Sequence, residues 1–458
     1  MLKALPKVRA FLFCLTILSV CQGVSTQQAS AHSKYDRSAP VIYSIYLRIF
    51  SPTGDFNGAI SQLPRLQRLG VNVLWLHPVT PVGKPVNGHP SIDSVYCVHD
   101  YYGVEPRYGA PADLKRFVGT AHKLGMRVIL DEVLNHTSWD NALITDHPEY
   151  YVHTDGNSTN PKSIAQAFGW TDVAQLNYAN HDVWRYMDRM LAYWVTEYNI
   201  DGFRFDACDN PAGSNRKIPA DFWQQAGDNI RRIKPDLFLL GECQSPELSG
   251  KPFDIDYTWN VYKALKSASS GASATSVVDA WNKIVSEYPP KAQHMMIQDD
   301  FDEVRDVLAF HGIDGAKAAA VFNFTIGGVP LINNGMEVGN TGSHSMIDWD
   351  RADPSIAAFY RDLIKLRAQN AALRDGSLTW RPNSTPDQVL TYTRQSGKSQ
   401  FLIVINLSMA PAAGKITLSD RAFWQCVFPE TRDSKKAVDD VTAYSLQPKQ
   451  FAVYRVMR

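Results

Sequence analysis

From residue 41 onward short apolar runs alternate with amphipathic helical stretches, and no other feature of the chain constrains its fold as tightly. Runs at 41–50, 71–76, 126–131, 200–206 and 237–242 read as buried strands, with weaker runs at 253–257, 294–299 and 329–333. Helical patterns at 58–69, 112–124, 183–198, 221–234, 276–287 and 315–324 fall between them. Gly70 and Gly125 stand where the first two helices should stop. Eight such units predict an α/β chain folded as a (β/α)8 TIM barrel over residues 32–375. Residues 138–180, after the third strand, are too long for an ordinary connection and read as a small inserted loop domain. Beyond a helix at 356–369, short alternating strands follow without helices between them, which predicts a C-terminal antiparallel β-sandwich over 376–458.

Charge and leader narrow the function classes. Lys+Arg and Asp+Glu both number 46, a balance that shows neither a nucleic-acid footprint nor an electrostatic membrane anchor. Residues 1–31 read as a signal peptide: Lys3, Lys7 and Arg9 precede an apolar stretch at 11–20, and Ala29-Ser30-Ala31 offers a cleavage site. Cys21 suggests lipid anchoring, but Val20 suits that poorly as the preceding residue. No later run is long enough to span a membrane, so an exported, soluble monomer is expected. Cys97, Cys208, Cys243 and Cys426 are too dispersed for a disulfide framework and lack zinc-site spacing; free, partly buried thiols are expected.

In a barrel the functional groups sit at the C-terminal ends of the strands. Arg204 and Asp206 are two residues apart and would leave one strand on the same face. Alone, the pair fits either a structural ion pair or a carboxylate kept ionised as a nucleophile. The other strand ends decide, because they supply Asp131 with Asn135 and His136, Glu242, and Gln298-Asp299-Asp300. Two carboxyl groups with separated pKa values are the equipment of glycoside hydrolysis. Glu242, after the apolar Phe238-Leu239-Leu240-Gly241, should hold its proton, and Asp206 beside Arg204 should lose it.

These residues resemble short regions of the α-amylase superfamily of retaining α-glycoside hydrolases and transglycosylases. Asp131…Asn135-His136 is similar to Asp-x-x-x-Asn-His, Gly202-Phe203-Arg204-Phe205-Asp206 to Gly-Phe-Arg-x-Asp, and Gly241-Glu242 to the acid region. The resemblance runs from about residue 41 to the end of the chain. It implies that Asp206 is the nucleophile, Glu242 the acid/base and Asp300 the third carboxylate. It further implies that Arg204 orients Asp206, His136 bonds a sugar hydroxyl and Tyr96 stacks on the ring. No cofactor is implied as necessary. Asn135 matches a position that binds a structural calcium in many relatives, although its oxygen partners are not evident here.

The chain departs from the family at three places. Gln298-Asp299-Asp300 replaces Asn-His-Asp, which puts Asp299 at the sugar-binding surface where a histidine is usual. Cys97 follows Tyr96 in place of an aspartate, and Asn210 replaces a histidine. Asn180-His181-Asp182 matches the missing motif but precedes a helix, and reads as its N-terminal cap. The implied substrate is an α-glucan or maltooligosaccharide. A transglycosylase or sugar isomerase could use the same residues, and loss of the histidine leaves open a carbohydrate-binding protein with impaired catalysis.

Overall fold

The computed structural model describes residues 39–86, 88–209, 218–350, 352–418, 422–429 and 441–457. The leader at 1–31, with Cys21, and Asn210 lie outside the described residues. Eight parallel strands close into a barrel: β1 (Ile42–Ile45), β2 (Val73–Leu76), β3 (Arg127–Glu132), β4 (Gly202–Phe205), β5 (Phe238–Gly241), β6 (Ile255–Tyr257), β7 (Gln293–Met296) and β8 (Val329–Asn333). Each pairs with the next, and β8 returns to β1 through Ile42 opposite Leu331. Their residues are almost all buried, as expected of parallel strands with helices outside and packed side chains within.

Local chemistry sets the ends of these elements. The helix Phe56–Leu69 starts where Asp55 accepts the Gly58 N–H. It stops at Gly70, whose φ of 102° is open to glycine and which donates to the Leu66 carbonyl. Asn180 likewise accepts the Asp182 N–H and caps the helix His181–Tyr198, the role read for it from sequence. Gly202 opens β4 at φ 154°, with β5 so close that a Cβ there would lie 1.9 Å from the Phe238 carbonyl oxygen.

Three expectations are corrected. The first strand ends at Ile45, because the Tyr46 carbonyl accepts the N–H groups of Ile49 and Phe50 and turns Leu47–Phe50 into a helical turn. The seventh ends at Met296, three residues before Asp299. Cys208 and Cys243 are not free: they form a disulfide, while Cys97 and Cys426 remain thiols. The positions just past β4 and β5 adjoin because those strands are neighbours in the barrel.

After β3 the chain leaves the barrel, forms the short strand His136–Ser138, and returns along Val173–Gln175 antiparallel to it. The C-terminal part is a five-stranded antiparallel sheet in the order Ser377–Trp380, Val389–Ser396, Ser399–Asn406, Phe451–Met457, Phe423–Phe428. A separate pair, Ala412–Lys415 with Ala443–Leu446, covers one face by packing against Leu402, Val404 and Trp424. The alternating residues Phe401, Ile403 and Ile405 join the barrel's core instead. Among the described residues, no helix is long and apolar enough to cross a membrane.

Candidate active site

Arg204 is the hub of the barrel mouth. Its side chain is 3% exposed, and it reaches residues from four strands or their ends. Nη1 donates to Asp131 Oδ1 of β3 at 2.8 Å and to Asp206 Oδ1 at 3.1 Å. Nη2 lies 2.7 Å from Glu242 Oε2, just beyond β5, and Nε donates to the Tyr257 hydroxyl of β6 at 3.2 Å. The rings of Trp75, Tyr96 and Tyr257 surround the guanidinium at 5.1, 5.9 and 5.7 Å from their centres. A buried cation needs such partners, and carboxylates on both terminal nitrogens provide them. One guanidinium thus holds the carboxyl groups of both Asp206 and Glu242.

Glu242 also accepts the Ala207 N–H, at 2.9 Å. Gly241 before it is required by space, since a Cβ there would meet Phe253 Cδ2 at 2.5 Å and Cys208 Sγ at 2.8 Å. Asp131 is held from three directions: Arg204, the Trp75 indole N–H at 3.1 Å and the Tyr96 hydroxyl at 3.2 Å.

Burial dominates the protonation of this cluster. It raises Glu242 to about 7, against the opposing charge of Arg204. That agrees with the expectation that this carboxyl keeps its proton. Asp206, expected to be lowered by Arg204, is instead raised to about 6: desolvation outweighs the ion pair, and Asp131 nearby adds to it. Asp131 is also raised, to about 6, by burial. Burial thus raises both groups, and the lowering expected for Asp206 from Arg204 is outweighed.

Asp206 borders a cavity of about 560 Å³ that is also lined by Tyr96, His136, Trp170 and Asp302. Its size falls within the range of small-molecule sites. His136 donates from Nε2 to the Tyr96 carbonyl at 3.1 Å, and burial lowers its pKa to about 4, which keeps the ring neutral. Trp170, contributed by the inserted segment, is 52% exposed and packs edge-on to His136. Trp170 and Asp302 were missed in the sequence. Trp170 lies in an irregular stretch without periodicity, and Asp302 was one acid too many in a run already holding Asp299 and Asp300.

The structure separates those three acids. Asp299 is fully buried away from the cavity, with Oδ2 against Arg305 Nε at 3.2 Å and the Asp306 N–H at 3.0 Å, and Oδ1 accepting from Asn333 at 2.8 Å. Its expected place at the sugar-binding surface is therefore corrected. Gln298 is equally buried and bonds Asp306 and Tyr360. Asp300 is 3% exposed; Oδ1 accepts the Asp302 N–H, Oδ2 has no hydrogen-bond partner, and burial followed by Glu242 raises it well above the usual range. Asp302, not Asp300, reaches the cavity wall beside Asp206. Between them Phe301 packs against Tyr46, His77, Tyr96 and His344, so an apolar ring fills the flank of the site.

Asn135, for which the resemblance implied metal ligation, bridges two segments of the barrel mouth. Its Nδ2 donates to the carbonyls of Asp206 and Ala207, at 2.8 and 3.2 Å, and so ties the loop after β3 to the end of β4. Its Oδ1 is buried without a hydrogen-bond partner. Among the described residues no three His, Cys, Asp or Glu side chains gather to hold an ion. Cys97 is buried and donates to the Asp172 carbonyl at 3.2 Å.

Comparison with known proteins agrees with this geometry. The family model described as the α-amylase catalytic domain matches residues 29–361. The α-amylase MalA of Haloarcula japonica is 28% identical over 405 residues, covering 83% of this chain and 58% of that protein. A cyclomaltodextrinase of a Bacillus species is 28% identical over 380 residues, covering 77% of this chain and 65% of that protein. The chain thus spans about three-fifths of the length of these curated relatives. Among solved structures, a maltogenic α-amylase of Thermotoga neapolitana is 27% identical with a TM-score of 0.77, covering 92% of this chain and 97% of that one. An α-amylase of Lactobacillus plantarum is 25% identical with a TM-score of 0.78, covering 92% and 99%. By its barrel, by the carboxyl cluster at the barrel's mouth and by the extent of the family match, this chain belongs to the α-amylase family.

Proposed function

We propose that this chain hydrolyses α-glucosidic bonds of maltooligosaccharides or related α-glucans with retention of configuration. The observation that carries the reading is the single Arg204 guanidinium binding both Asp206 and Glu242. Retaining enzymes keep two carboxyl groups about 5–5.5 Å apart, close enough for one to attack the sugar while the other protonates the leaving oxygen. Glu242 gives its proton to the glycosidic oxygen as an Asp206 oxygen bonds to the anomeric carbon, and the leaving sugar departs. Glu242, now a carboxylate, takes a proton from water; that water attacks the anomeric carbon, breaks the ester to Asp206, and restores both groups. Asp302 at the cavity wall, rather than Asp300, serves as the third carboxylate that grips sugar hydroxyls. Tyr96 and His136 line the bound ring, and Trp170 offers a face for a further sugar.

The same reading takes the chain to be exported. Its support is the basic and apolar leader together with the Cys208–Cys243 bond, which persists best in an oxidising compartment. A single chain is taken as the working unit, since one chain supplies every group invoked above.

The test is a panel of starch, maltotriose, isomaltose, trehalose and sucrose, with an Asp206→Asn variant alongside. Wild type is expected to consume at least one of the α-1,4-linked substrates, and the variant to lose at least about a hundredfold in rate. Short products such as glucose and maltose indicate hydrolysis, and lengthened products indicate transfer. Equal, negligible turnover by both proteins across the panel refutes the proposal.

A further inference from the structure

Asp206 and Glu242 leave adjacent strands, and the chain joins those strands covalently just beyond them. Cys208, two residues after Asp206, is bonded to Cys243, the residue after Glu242, with the two Cα atoms 5.5 Å apart. Both cysteines are buried, at 1% and 3% exposure. The path from one carboxyl-bearing residue to the other therefore runs Asp206-Ala207-Cys208, across the sulfurs, then Cys243-Glu242.

The backbone within that path is unusual. Ala207 has φ 43°, in the left-handed region that residues with a Cβ adopt only when their surroundings hold them there. In this conformation its N–H donates to Glu242 Oε2 at 2.9 Å, while the Cys208 N–H donates to the Glu242 carbonyl at 3.2 Å. On the far side the Cys243 carbonyl accepts the Tyr257 N–H at 3.1 Å, and the Cys208 carbonyl accepts the Trp223 indole N–H at 3.2 Å. The disulfide is thus the covalent member of a set of bonds that close a small ring over the end of β5.

We propose that Cys208 and Cys243 are positioning residues for the reaction: their bond holds the left-handed turn at Ala207, and through it the N–H that grips Glu242 and the placement of Glu242 against Asp206. This rests on the function proposed above. Displacing a reacting group by about 1 Å can cost on the order of a hundredfold in rate, so a device fixing two such groups has a large lever.

The experiment uses the full chain and two double variants, Cys208→Ala with Cys243→Ala, and the fuller Cys208→Val with Cys243→Ala. A peptide map without reductant first tests for the Cys208–Cys243 linkage in wild type, and its absence overturns the proposal. On maltotriose, the folded variants are expected to lose about tenfold or more in kcat while KM stays within about twofold, because Tyr96, His136 and Trp170 are outside the bridged turn. The high-pH limb of kcat/KM should move upward, because Glu242 loses an N–H donor to its charged form. Folded variants with wild-type kcat, or with that limb unmoved or shifted down, overturn the proposal. So does failure of both variants to fold, which makes the bond a folding strut instead. An inert wild type removes the hydrolase reading and this one together, whereas an active wild type with indifferent variants removes only this one.

Discussion

Five carboxyl groups, Asp131, Asp206, Glu242, Asp300 and Asp302, share the barrel mouth with one buried guanidinium, that of Arg204. One cation cannot keep five neighbouring acids ionised in a site screened from water, so protons stay on some of them at neutral pH. For hydrolysis Asp206 must be ionised and Glu242 protonated. Burial raises both, so kcat/KM should climb as Asp206 ionises, above the ordinary carboxylate range, and fall as Glu242 loses its proton. A bell-shaped profile is expected from initial rates on maltotriose, and a broad plateau on the alkaline side counts against Glu242 as the acid. The two candidates for third carboxylate separate on substitution. Asp302→Asn should lose at least about a hundredfold in kcat, and Asp300→Asn at least tenfold less than that. Asp300→Asn should also raise the melting temperature at pH 7.5 by a few degrees. In the folded state Asp300 holds its proton well above the ordinary range, whereas the unfolded chain releases it near pH 4. Stability therefore falls as pH rises from that point, and an amide in its place removes the loss.

At the scale of elements, the close approach of β4 to β5 places the two facing carboxyl groups, and Gly202 permits it. Gly202→Ala would push a methyl group against the Phe238 carbonyl, 1.9 Å away, at a φ of 154°. The expected cost is about 3 kcal/mol or more, read as a lowered urea midpoint, and a variant of wild-type stability would show that the strands can separate freely. Elements also explain which residues could be read in advance. Arg204 and Asp206 were legible because β4 persists to Phe205 and its period of two carries the pair to one side. Asp302 was not, because β7 stops at Met296. Residues 297–302 follow a loop, and strand alternation says nothing about which acid faces the cavity.

At the scale of the whole molecule, Arg394 ties the C-terminal sheet to the barrel through backbone carbonyls. Arg394 is 3% exposed and donates to the carbonyls of Ala372 at 3.1 Å, Arg374 at 3.1 Å and Ile326. Arg367, equally buried, serves the carbonyls of Phe324, Leu373 and Gly328. Burial lowers both, Arg367 to about 9 and Arg394 to about 10, and the charge of Asp375 opposes it only in part. Arg394→Met would leave three buried carbonyls without their donors. A loss of about 3 kcal/mol in unfolding free energy is expected by denaturant titration. A variant unchanged in stability would mean that water replaces the guanidinium, and that this seam between barrel and sheet is wetter than it looks.

Sequence by itself determined the barrel, the inserted segment, the C-terminal strands and the strand ends that carry Arg204, Asp206 and Glu242. The strands and helices rest on short-range periodicity, which is written in consecutive residues, and the inserted segment on a length too great for an ordinary connection. Only the tertiary structure decided three things. Asp206 is raised rather than lowered, because desolvation depends on everything packed around a group and not on the neighbour two residues away. Asp299 turns into a buried network with Arg305 and Asn333, 34 positions on in the chain for the latter, and leaves the cavity wall to Asp302. Cys208 meets Cys243 across 35 residues because closing the barrel sets β4 beside β5. The strand that carries Arg204 and Asp206 could be read alone, but its covalent tie to Glu242's strand could not, since that contact exists only once the barrel has closed.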